Sequence, residues 1–253
     1  MSIELKQERW RYPRFFTENI SDNVAVVEGE DAKHASTVLR MRTGDYAVLC
    51  DGHKMDYLAQ LMESTPGCCS FKILEKNENQ AEPAIHLRLF QAMPKSDKME
   101  FIVQKAVECG AAEIIPFFSE RCVSRPDAKS MEKKLVRYQK IALEAAKQCG
   151  RGIVPTVGEA VEFSALKNLI SADNTGILFY ECATVPLCEA FKTDSFNKNI
   201  DIVIGSEGGF EPKEAEKLQN MGFTAVSLGK RILRCETAPI AAISILMNMT
   251  GNM

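Results

Sequence analysis

Beyond residue 84 the chain alternates between apolar runs of strand length and segments with the apolar spacing of a helix. Residues 85–92 form a strand-like run, and the apolar residues between Met99 and Cys109 then recur at helical intervals. Further strand-like and helix-like segments follow in turn, at 113–118, 129–149, 176–180, 200–204, 212–221, 224–228 and 238–249. This alternation predicts an α/β domain in which helices flank a mostly parallel sheet. In such sheets ligands bind at the carboxyl ends of the strands.

The first third of the chain has a different pattern. Residues 14–76 contain short extended runs broken by glycine and proline, which predicts a small β-rich barrel or sandwich. Residues 77–83 are polar and have no periodicity, as is typical of a linker. We therefore expect two domains, residues 1–76 and residues 84–253.

Composition excludes several classes of protein. The 253 residues are 45% hydrophobic, which is enough for a folded core, and no stretch reaches the roughly 20 apolar residues of a membrane span. Residues 1–14 are polar where a signal peptide is apolar, so we expect a cytoplasmic protein that does not associate with membranes. Nine cysteines without a CxxC pair and three scattered histidines predict reduced thiols and no bound metal.

The formal net charge of −3 conceals a strongly basic segment. From Arg121 to Arg151, nine basic residues stand against three acidic ones. If a helix runs from about residue 129, one of its faces carries Lys129, Lys133, Arg137, Lys140, Lys147 and Arg151. Such a basic stripe, roughly 30 Å long at 1.5 Å per residue, could follow a nucleic-acid backbone. The alternative is an ordinary solvated helix face.

The segment IGSEGGF, residues 204–210, has three glycines directly after a strand-like run. The backbone there must turn sharply or admit a close neighbour. The segment is neither the GxxxxGK[ST] of a P-loop nor the GxGxxG of a dinucleotide fold, and Glu207 would repel a phosphate. A cationic, hydroxyl-rich ligand such as S-adenosylmethionine fits better, and the alternative is a tight turn without a ligand.

A second candidate loop is LGKRILRCETAP, residues 228–239. It follows another strand-like run, contains Arg231 and Arg234, and enters the last helix through Thr237 and Pro239. Two arginines beside two ligand loops indicate recognition of an anion or of a carbonyl-rich base. For Arg231 the alternative is an ordinary surface arginine.

The two segments together resemble the paired signature of the RsmE family, bacterial methyltransferases of the SPOUT superfamily that modify N3 of a uridine in 16S ribosomal RNA. Further blocks are similar to family blocks, in order along nearly the whole chain: PRFF (13–16), HASTVLRMRTGD (34–45), the block 93–123, EAAKQCGR (144–151) and ILFYE (177–181). Ser206 is the clear departure, because the family usually has proline there, and serine leaves φ less restricted.

The resemblance implies a fold, a cofactor and an assembly. The fold is a PUA-like N-terminal β-barrel followed by a SPOUT domain, whose parallel sheet is flanked by helices and whose C-terminal elements form a trefoil knot. Members of the family bind S-adenosylmethionine among the loops of the knot and form homodimers through that region. Carried onto this chain, the cofactor contacts are Tyr180, Gly205, Glu207, Gly208, Leu228, Gly229, Ile232, Leu233 and Arg234.

The resemblance also implies methylation of 16S ribosomal RNA, in the small ribosomal subunit. We expect Arg234 to stabilise negative charge on the uracil carbonyl oxygens, and Glu207 or Glu236 to accept the N3 proton. Cys235 is interpreted as a packing residue, because attack by nitrogen needs no covalent adduct. The expected phosphate contacts are Arg14, Arg40, Arg42, Arg121, Arg125, Lys133, Arg137, Lys140 and Arg151. Two alternatives are a related methyltransferase acting on ribose 2′-oxygen or on transfer RNA, and a non-catalytic ribosome-assembly factor.

Overall fold

The computed structural model describes residues 11–192 and 196–253, and the chain folds into two compact units. The first unit consists of Met1–Glu82 and Ala146–Val154, and the second of Pro83–Ala145 and Pro155–Met253. Residues 1–10, on which part of the signal-peptide prediction and the start of the first predicted domain rest, lie outside the described residues. No helix in the described part of the chain is long and apolar enough to cross a membrane.

A six-stranded sheet builds the first unit. Its strands are β1 (Arg14–Phe16), β2 (Ile20–Ser21), β3 (Val24–Glu28), β4 (Tyr46–Cys50), β5 (Met55–Ser64) and β6 (Cys68–Glu78). The order across the sheet is β1-β4-β5-β6-β3-β2, in which β1 and β4 are parallel and the other neighbours antiparallel. A short helix α1 (Gly29–Lys33) and a π-helical turn (His34–Val38) follow β3. Phe15, Leu49 and Phe71 are buried in the core of this unit.

Two arginines that were expected to contact RNA lie instead in ion pairs of the first unit. Arg14 donates from Nη1 and Nη2 to the two carboxylate oxygens of Asp56, at 2.6 and 2.7 Å. Arg151 Nη2 lies 2.8 Å from Oε2 of Glu82, and the Arg151 side chain is only 5% exposed. A guanidinium that is buried against a carboxylate is already satisfied and has little access to phosphate. The structure therefore assigns Arg14 and Arg151 to the stability of this unit rather than to an RNA interface.

The second unit contains a parallel sheet flanked by helices, which confirms the predicted class. Its strands are β7 (His86–Ala92), β8 (Glu113–Phe118), β9 (Thr156–Val157), β10 (Val161–Glu162), β11 (Thr175–Phe179), β12 (Asn199–Ile204) and β13 (Thr224–Val226). The order is β10-β8-β7-β12-β11-β13, with β9 paired to β8, and all pairings among the described residues are parallel. The central strands β7 and β12 are nearly continuous buried runs, as expected of strands covered on both faces.

Several helices follow these strands along the chain. They are α2 (Lys98–Glu108), α3 (Ala128–Cys149), α4 (Leu187–Ala190), α5 (Pro212–Asn220) and α6 (Thr237–Met249), with a 3-10 helix at Phe163–Asn168. Helix α2 buries Met99, Ile102 and Val103, the residues whose spacing predicted it. Helix α5 begins with a capping box, in which the side chains of Glu211 and Glu214 each accept from the other's backbone N–H.

Parallel register brings four strand ends to one edge of the second sheet. Gln91 of β7, Ile204 of β12, Phe179 of β11 and Val226 of β13 are successive partners in one row. The chain leaves each strand at or near that row, so the loops that follow begin side by side. The two segments singled out in the sequence are the loops after β12 and β13, and the register therefore makes them neighbours.

A buried ion pair links the two central strands. Asp201 of β12 lies opposite Arg88 of β7, and the Asp201 side chain is 1% exposed. Arg88 Nε and Nη2 donate to the two carboxylate oxygens of Asp201 at 2.7 and 2.8 Å, and Asn174 Nδ2 donates to Oδ2 at 3.0 Å. The hydrogen bond to Asp201 raises the pKa of Arg88. A charged residue is thus satisfied inside an otherwise apolar strand.

We expect Asp201→Ala to destabilise the protein by about 3–5 kcal/mol, because the Arg88 guanidinium then remains largely buried without its main partner. Denaturant-induced unfolding measures the change. The matched control is Glu162→Ala, which breaks the exposed Arg125–Glu162 pair and should cost less than about 1 kcal/mol. Equal losses in the two variants would contradict the importance of the buried pair.

Candidate functional site

The four strand ends lead into a cavity of about 440 Å³ in the second unit. Its walls are the loops after β11, β12 and β13, together with Lys98 at the start of α2 and Ala238 at the start of α6. The volume lies in the range that is typical of small-molecule sites. Its position is the one expected for a ligand of a parallel sheet.

Most residues that were predicted to bind a cofactor line this cavity. They are Tyr180, Gly205, Glu207, Leu228, Gly229, Ile232, Leu233 and Arg234. Gly208 does not line it and lies against Arg121, where a Cβ atom on Gly208 would come within 3.0 Å of the Arg121 Cβ. Lys98, Glu181 and Cys235 also line the cavity, and the sequence had indicated no cofactor contact for them. Both signature segments thus border one space.

Gly209 explains why the loop after β12 needs glycine. Its φ is +65°, and a Cβ atom on this residue would overlap the Glu181 carboxylate of the neighbouring loop. A Cβ atom on Gly205 would lie 3.1 Å from the Cα of Gly209. The segment therefore folds closely on itself, and only glycine leaves room for the Glu181 carboxylate beside its backbone.

Glu207 fastens this glycine segment to the loop after β7. Its two carboxylate oxygens accept from the backbone N–H of Lys95 at 3.1 and 3.3 Å, and Oε1 lies 3.0 Å from Nζ of Lys98. Burial raises the pKa of Glu207, but the Lys98 ammonium and backbone N–H groups outweigh it, so the pKa lies below its ordinary value. The acid among the glycines is therefore an ionised anchor at neutral pH.

Lys98 also binds an acid of the second signature segment. Its Nζ lies 3.1 Å from Oε2 of Glu236, and the Cys235 thiol donates to the same oxygen at 3.2 Å. Burial alone would raise the pKa of Glu236. Hydrogen bonds from its own backbone N–H, from the Cys235 thiol and from Lys98 outweigh burial, so the pKa lies below its ordinary value. Lys98 is a site residue that the sequence reasoning missed. Its signal was its place just past a strand end, on the edge where both signature segments begin.

The Cys235 thiol stays protonated beside these charges. Burial is the main cause that raises its pKa to about 12, and Glu236 and Glu207 add to the effect. A thiol with that pKa forms almost no thiolate at neutral pH, and the thiolate is the nucleophilic form. This supports the interpretation of Cys235 as a packing residue.

Among the described residues, no group of three or more His, Cys, Asp or Glu side chains could hold a metal ion.

Arg231 and Arg234 line the cavity with exposed side chains. Within residues 11–192 and 196–253, neither guanidinium has a hydrogen-bond or ion-pair partner. The Arg234 carbonyl accepts from the backbone N–H groups of Thr237 and Ala238 at 2.9 Å, which fixes the Arg234 backbone at the start of α6. The Arg234 backbone is therefore held in place while its guanidinium can donate to an anion or to carbonyl oxygens.

Ser206 adds a buried hydroxyl to the cavity wall. Its Oγ, like Oε1 of Gln91 at the end of β7, has no hydrogen-bond partner in the described part of the protein. Burying a polar atom without a partner costs about 1–3 kcal/mol, so such an atom favours a ligand or water that can bond to it. At the position where the resemblance led us to expect proline, this chain has a group that can donate and accept.

Several of the basic residues that were expected to contact RNA lie in ion pairs of the structure. Ion pairs engage Arg121–Glu211 at 2.7 Å, Arg125–Glu162 at 3.1 Å and Arg137–Glu100 at 2.6 Å, and Lys147 of the basic stripe pairs with Asp31 at 2.7 Å. Arg121 also donates to the Gly208 carbonyl at 2.9 Å, so it supports the glycine segment. Arg40, Arg42, Lys133 and Lys140 have exposed side chains.

We expect Gly209→Ala to disrupt this cavity, because the new Cβ atom combines a strained φ with overlap against Glu181. The loss of stability, measured by denaturant unfolding, should exceed the roughly 1–2 kcal/mol of a left-handed conformation alone. Gly251→Ala is the control, because its φ is +70° and nothing lies within 4 Å of an added Cβ atom there. If both variants lose the same stability, the contact with Glu181 has no role.

Comparisons with known proteins connect these features to a family. A family model of an RNA methyltransferase domain matches residues 81–247. The ribosomal RNA small subunit methyltransferase E of Bacillus subtilis is 33% identical over 229 residues, which are 88% of this chain and 90% of that protein. The protein of the same name from Buchnera aphidicola subsp. Acyrthosiphon pisum is 29% identical, over 96% of this chain and 95% of its own length.

Solved structures agree with the sequence relatives. The crystal structure of a ribosomal RNA small subunit methyltransferase E from Neisseria gonorrhoeae, bound to S-adenosyl methionine, is 30% identical with a TM-score of 0.85, over 94% of this chain and 98% of that one. A methyltransferase from Legionella pneumophila, in complex with bound SAM, is 27% identical with a TM-score of 0.85 and the same coverage. The resemblance predicted from the sequence is confirmed, and the chain belongs to the RsmE family of small-subunit ribosomal RNA methyltransferases.

Proposed function

We propose that this protein transfers the methyl group of S-adenosylmethionine to N3 of a uridine in 16S ribosomal RNA of the small subunit. The observation that carries the proposal is the cavity in which both signature segments meet, with the Arg234 guanidinium on its wall. The names of its relatives and the methyl donor bound to the Neisseria protein support this reading. The choice of N3 rests on the family resemblance.

The residues of the cavity fit S-adenosylmethionine. This molecule supplies a methyl group that is already activated on a positively charged sulfur. The carboxylates of Glu181 and Glu207 border the cavity and suit a cationic ligand, and Ser206 offers a hydroxyl. The cofactor residues in the proposal remain Tyr180, Gly205, Glu207, Leu228, Gly229, Ile232, Leu233 and Arg234. Gly208 instead packs against Arg121 outside the cavity and supports the loop there.

Arg234 is the proposed catalytic donor. Uridine N3 becomes nucleophilic as it gives up its proton, which spreads negative charge onto the O2 and O4 carbonyls of the base, and an unpaired base must reach the cavity. A guanidinium presents several donors in a planar fork, and that of Arg234 is not engaged elsewhere among the described residues. Its backbone is held at the start of α6, so the fork can be aimed without reorganising the loop.

Glu207 and Glu236 were both candidates to accept the N3 proton. Each is paired with Lys98, and each has a pKa below its ordinary value after the opposing effect of burial. A lowered pKa makes a carboxylate a weaker base. This favours a role in holding the loops and disfavours direct proton transfer to either residue. In the proposal the N3 proton therefore passes to water as the methyl group moves from sulfur to nitrogen and S-adenosylhomocysteine leaves.

The finer architecture is proposed from the family. We assign the first unit to a PUA-like RNA-binding barrel and the second to a SPOUT domain with a C-terminal trefoil knot. We also assign a homodimer, and the half-exposed Phe101 of α2 and Ile245 of α6, on two helices that contact each other, support it. An enzyme that modifies the small ribosomal subunit would act in the cytoplasm.

The decisive experiment uses isotopically labelled methyl donor, the purified protein and small subunits that lack the modification. Mass spectrometry of the recovered 16S RNA should find one labelled methyl group on uracil N3. A label on ribose 2′-oxygen or on transfer RNA would replace the proposed substrate atom. Absence of any heat of donor binding in calorimetry, together with no transfer, would indicate a non-catalytic assembly factor instead.

Arg234→Ala should lower kcat for this transfer about 10²–10³-fold, because it removes a donor from the oxygens where charge develops. Arg231→Ala is the matched control, since Arg231 also lines the cavity with an exposed side chain. Single-turnover rates with saturating donor separate the chemical step from binding. A smaller effect at Arg234 than at Arg231 would exchange their roles.

The RNA interface in the proposal consists of Arg40, Arg42 and the exposed basic residues of α3. Replacing Lys133 and Lys140 by glutamine should weaken RNA binding and flatten its dependence on salt by about 0.7 per lost phosphate contact. Lys167→Gln with Lys217→Gln changes the net charge equally at exposed sites outside the proposed interface. Binding measured by fluorescence anisotropy at several salt concentrations should respond only to the first pair, and equal slopes would remove α3 from the interface.

A further inference from the structure

The side chain of Lys98 is bonded to both signature segments. It stands at the start of α2, immediately after the loop that leaves β7. Its Nζ lies 3.0 Å from Oε1 of Glu207 in the glycine segment and 3.1 Å from Oε2 of Glu236 before α6. It also lies 3.8 Å from Sγ of Cys235. Three segments that are far apart in the chain therefore converge on one ammonium group.

We propose that Lys98 is a positioning residue of the cofactor cavity, whose ammonium clamps the two signature loops together through a shared ion pair with Glu207 and Glu236. The inference rests on the proposed function only for the identity of the ligand. The clamp itself concerns the shape of the cavity and not the chemistry of transfer.

The geometry favours a clamp over direct contact with the ligand. A lysine ammonium has three donors, and the contacts with Glu207, Glu236 and Cys235 engage all three. Its two ionic contacts are both with the signature loops, and its contact with the Cys235 sulfur is longer, at 3.8 Å. Its main influence on the ligand therefore passes through the loops that it holds.

Lys98 separates two carboxylates that would otherwise repel each other. Both carboxylate oxygens lie near 3 Å from one nitrogen, so they are within about 6 Å of each other. Without a cation between them, two carboxylates at that distance repel, and one of them tends to bind a proton. The other groups that bond to the pair are the Cys235 thiol, the backbone N–H of Lys95 and the backbone N–H groups of Glu207 and Glu236 themselves, and none of these supplies a positive charge.

Lys98→Met tests the clamp in the full-length protein. Calorimetry with S-adenosylmethionine should show at least tenfold weaker binding at pH 8. Lys98→Arg keeps a cation and should bind within about threefold of the wild type. Lys105→Met is the matched control on the same helix, because Lys105 pairs with Glu108 of its own helix and does not line the cavity. It should leave binding unchanged.

The pH dependence of unfolding separates a clamp from general packing. In the wild type both carboxyls have lowered pKa values, so their stabilisation is fully present above their ordinary pKa and constant from pH 5 to pH 8. In Lys98→Met one carboxyl should have a raised pKa, and its contribution is then lost as pH rises through that value. The melting temperature of Lys98→Met should therefore fall further behind the wild type at pH 8 than at pH 5.

Adding Glu236→Gln to Lys98→Met leaves one carboxylate and should abolish that extra pH dependence. A pH-independent gap for Lys98→Met, or a loss in Lys98→Arg as large as in Lys98→Met, would overturn the clamp. If Lys98→Met does not fold, two single variants still test the clamp. The clamp requires that Lys98→Arg retains binding of S-adenosylmethionine and that Glu236→Gln binds it more weakly. Failure of the wild type to bind S-adenosylmethionine would instead overturn the proposed function.

Discussion

In-register parallel pairing of β7, β12, β11 and β13 determines where every part of the candidate site lies. One row of partners contains Gln91, the next-to-last residue of β7, and the last residue of each of the other three strands. The loops that follow therefore start at one edge, although they are separated along the chain by up to half its length. A shift of one residue between β7 and β12 would move Asp201 away from its partner position opposite Arg88, so the buried ion pair favours this register and thereby the position of the cavity.

The protein must accommodate ligands of opposite charge, and its cavity carries side chains of both signs. Glu181 and Glu207 border the cavity and suit a cationic methyl donor, while Arg231 and Arg234 line it as possible donors to an anion or to carbonyl oxygens. Exposed basic residues lie on α3 and in the first unit, where they can meet an RNA backbone. Other basic side chains neutralise structural carboxylates, as Arg121 does beside the glycine segment. The small net charge of the chain is the sum of these separate populations.

Sequence periodicity was sufficient for the fold class, because strand and helix patterns depend on residues that are close in the chain. The parallel sheet, the long helix α3 and the two loops of the site all follow from such local patterns. The expectations for Arg14 and Arg151 failed for the opposite reason. Their partners, Asp56 and Glu82, come from distant positions, so no local pattern separates a buried, paired arginine from an exposed one.

The same limit concealed Lys98 and Asp201. A lysine at the start of an amphipathic helix looks like an ordinary solvated residue until the fold brings Glu207 and Glu236 to it. An aspartate inside an apolar strand looks unfavourable until the register sets it opposite Arg88. In both cases the missing information is the pairing of segments, which only the assembled sheet provides.

The buried state of Cys235 has a chemical consequence for how the protein withstands its surroundings. Oxidants and electrophiles attack sulfur mainly as thiolate, and a cysteine with a pKa of about 12 offers almost none. Cys68, Cys182 and Cys188 are exposed and can meet such reagents first. A chain with nine cysteines can thus accumulate surface damage under oxidative stress while the sulfur beside its ligand cavity remains intact.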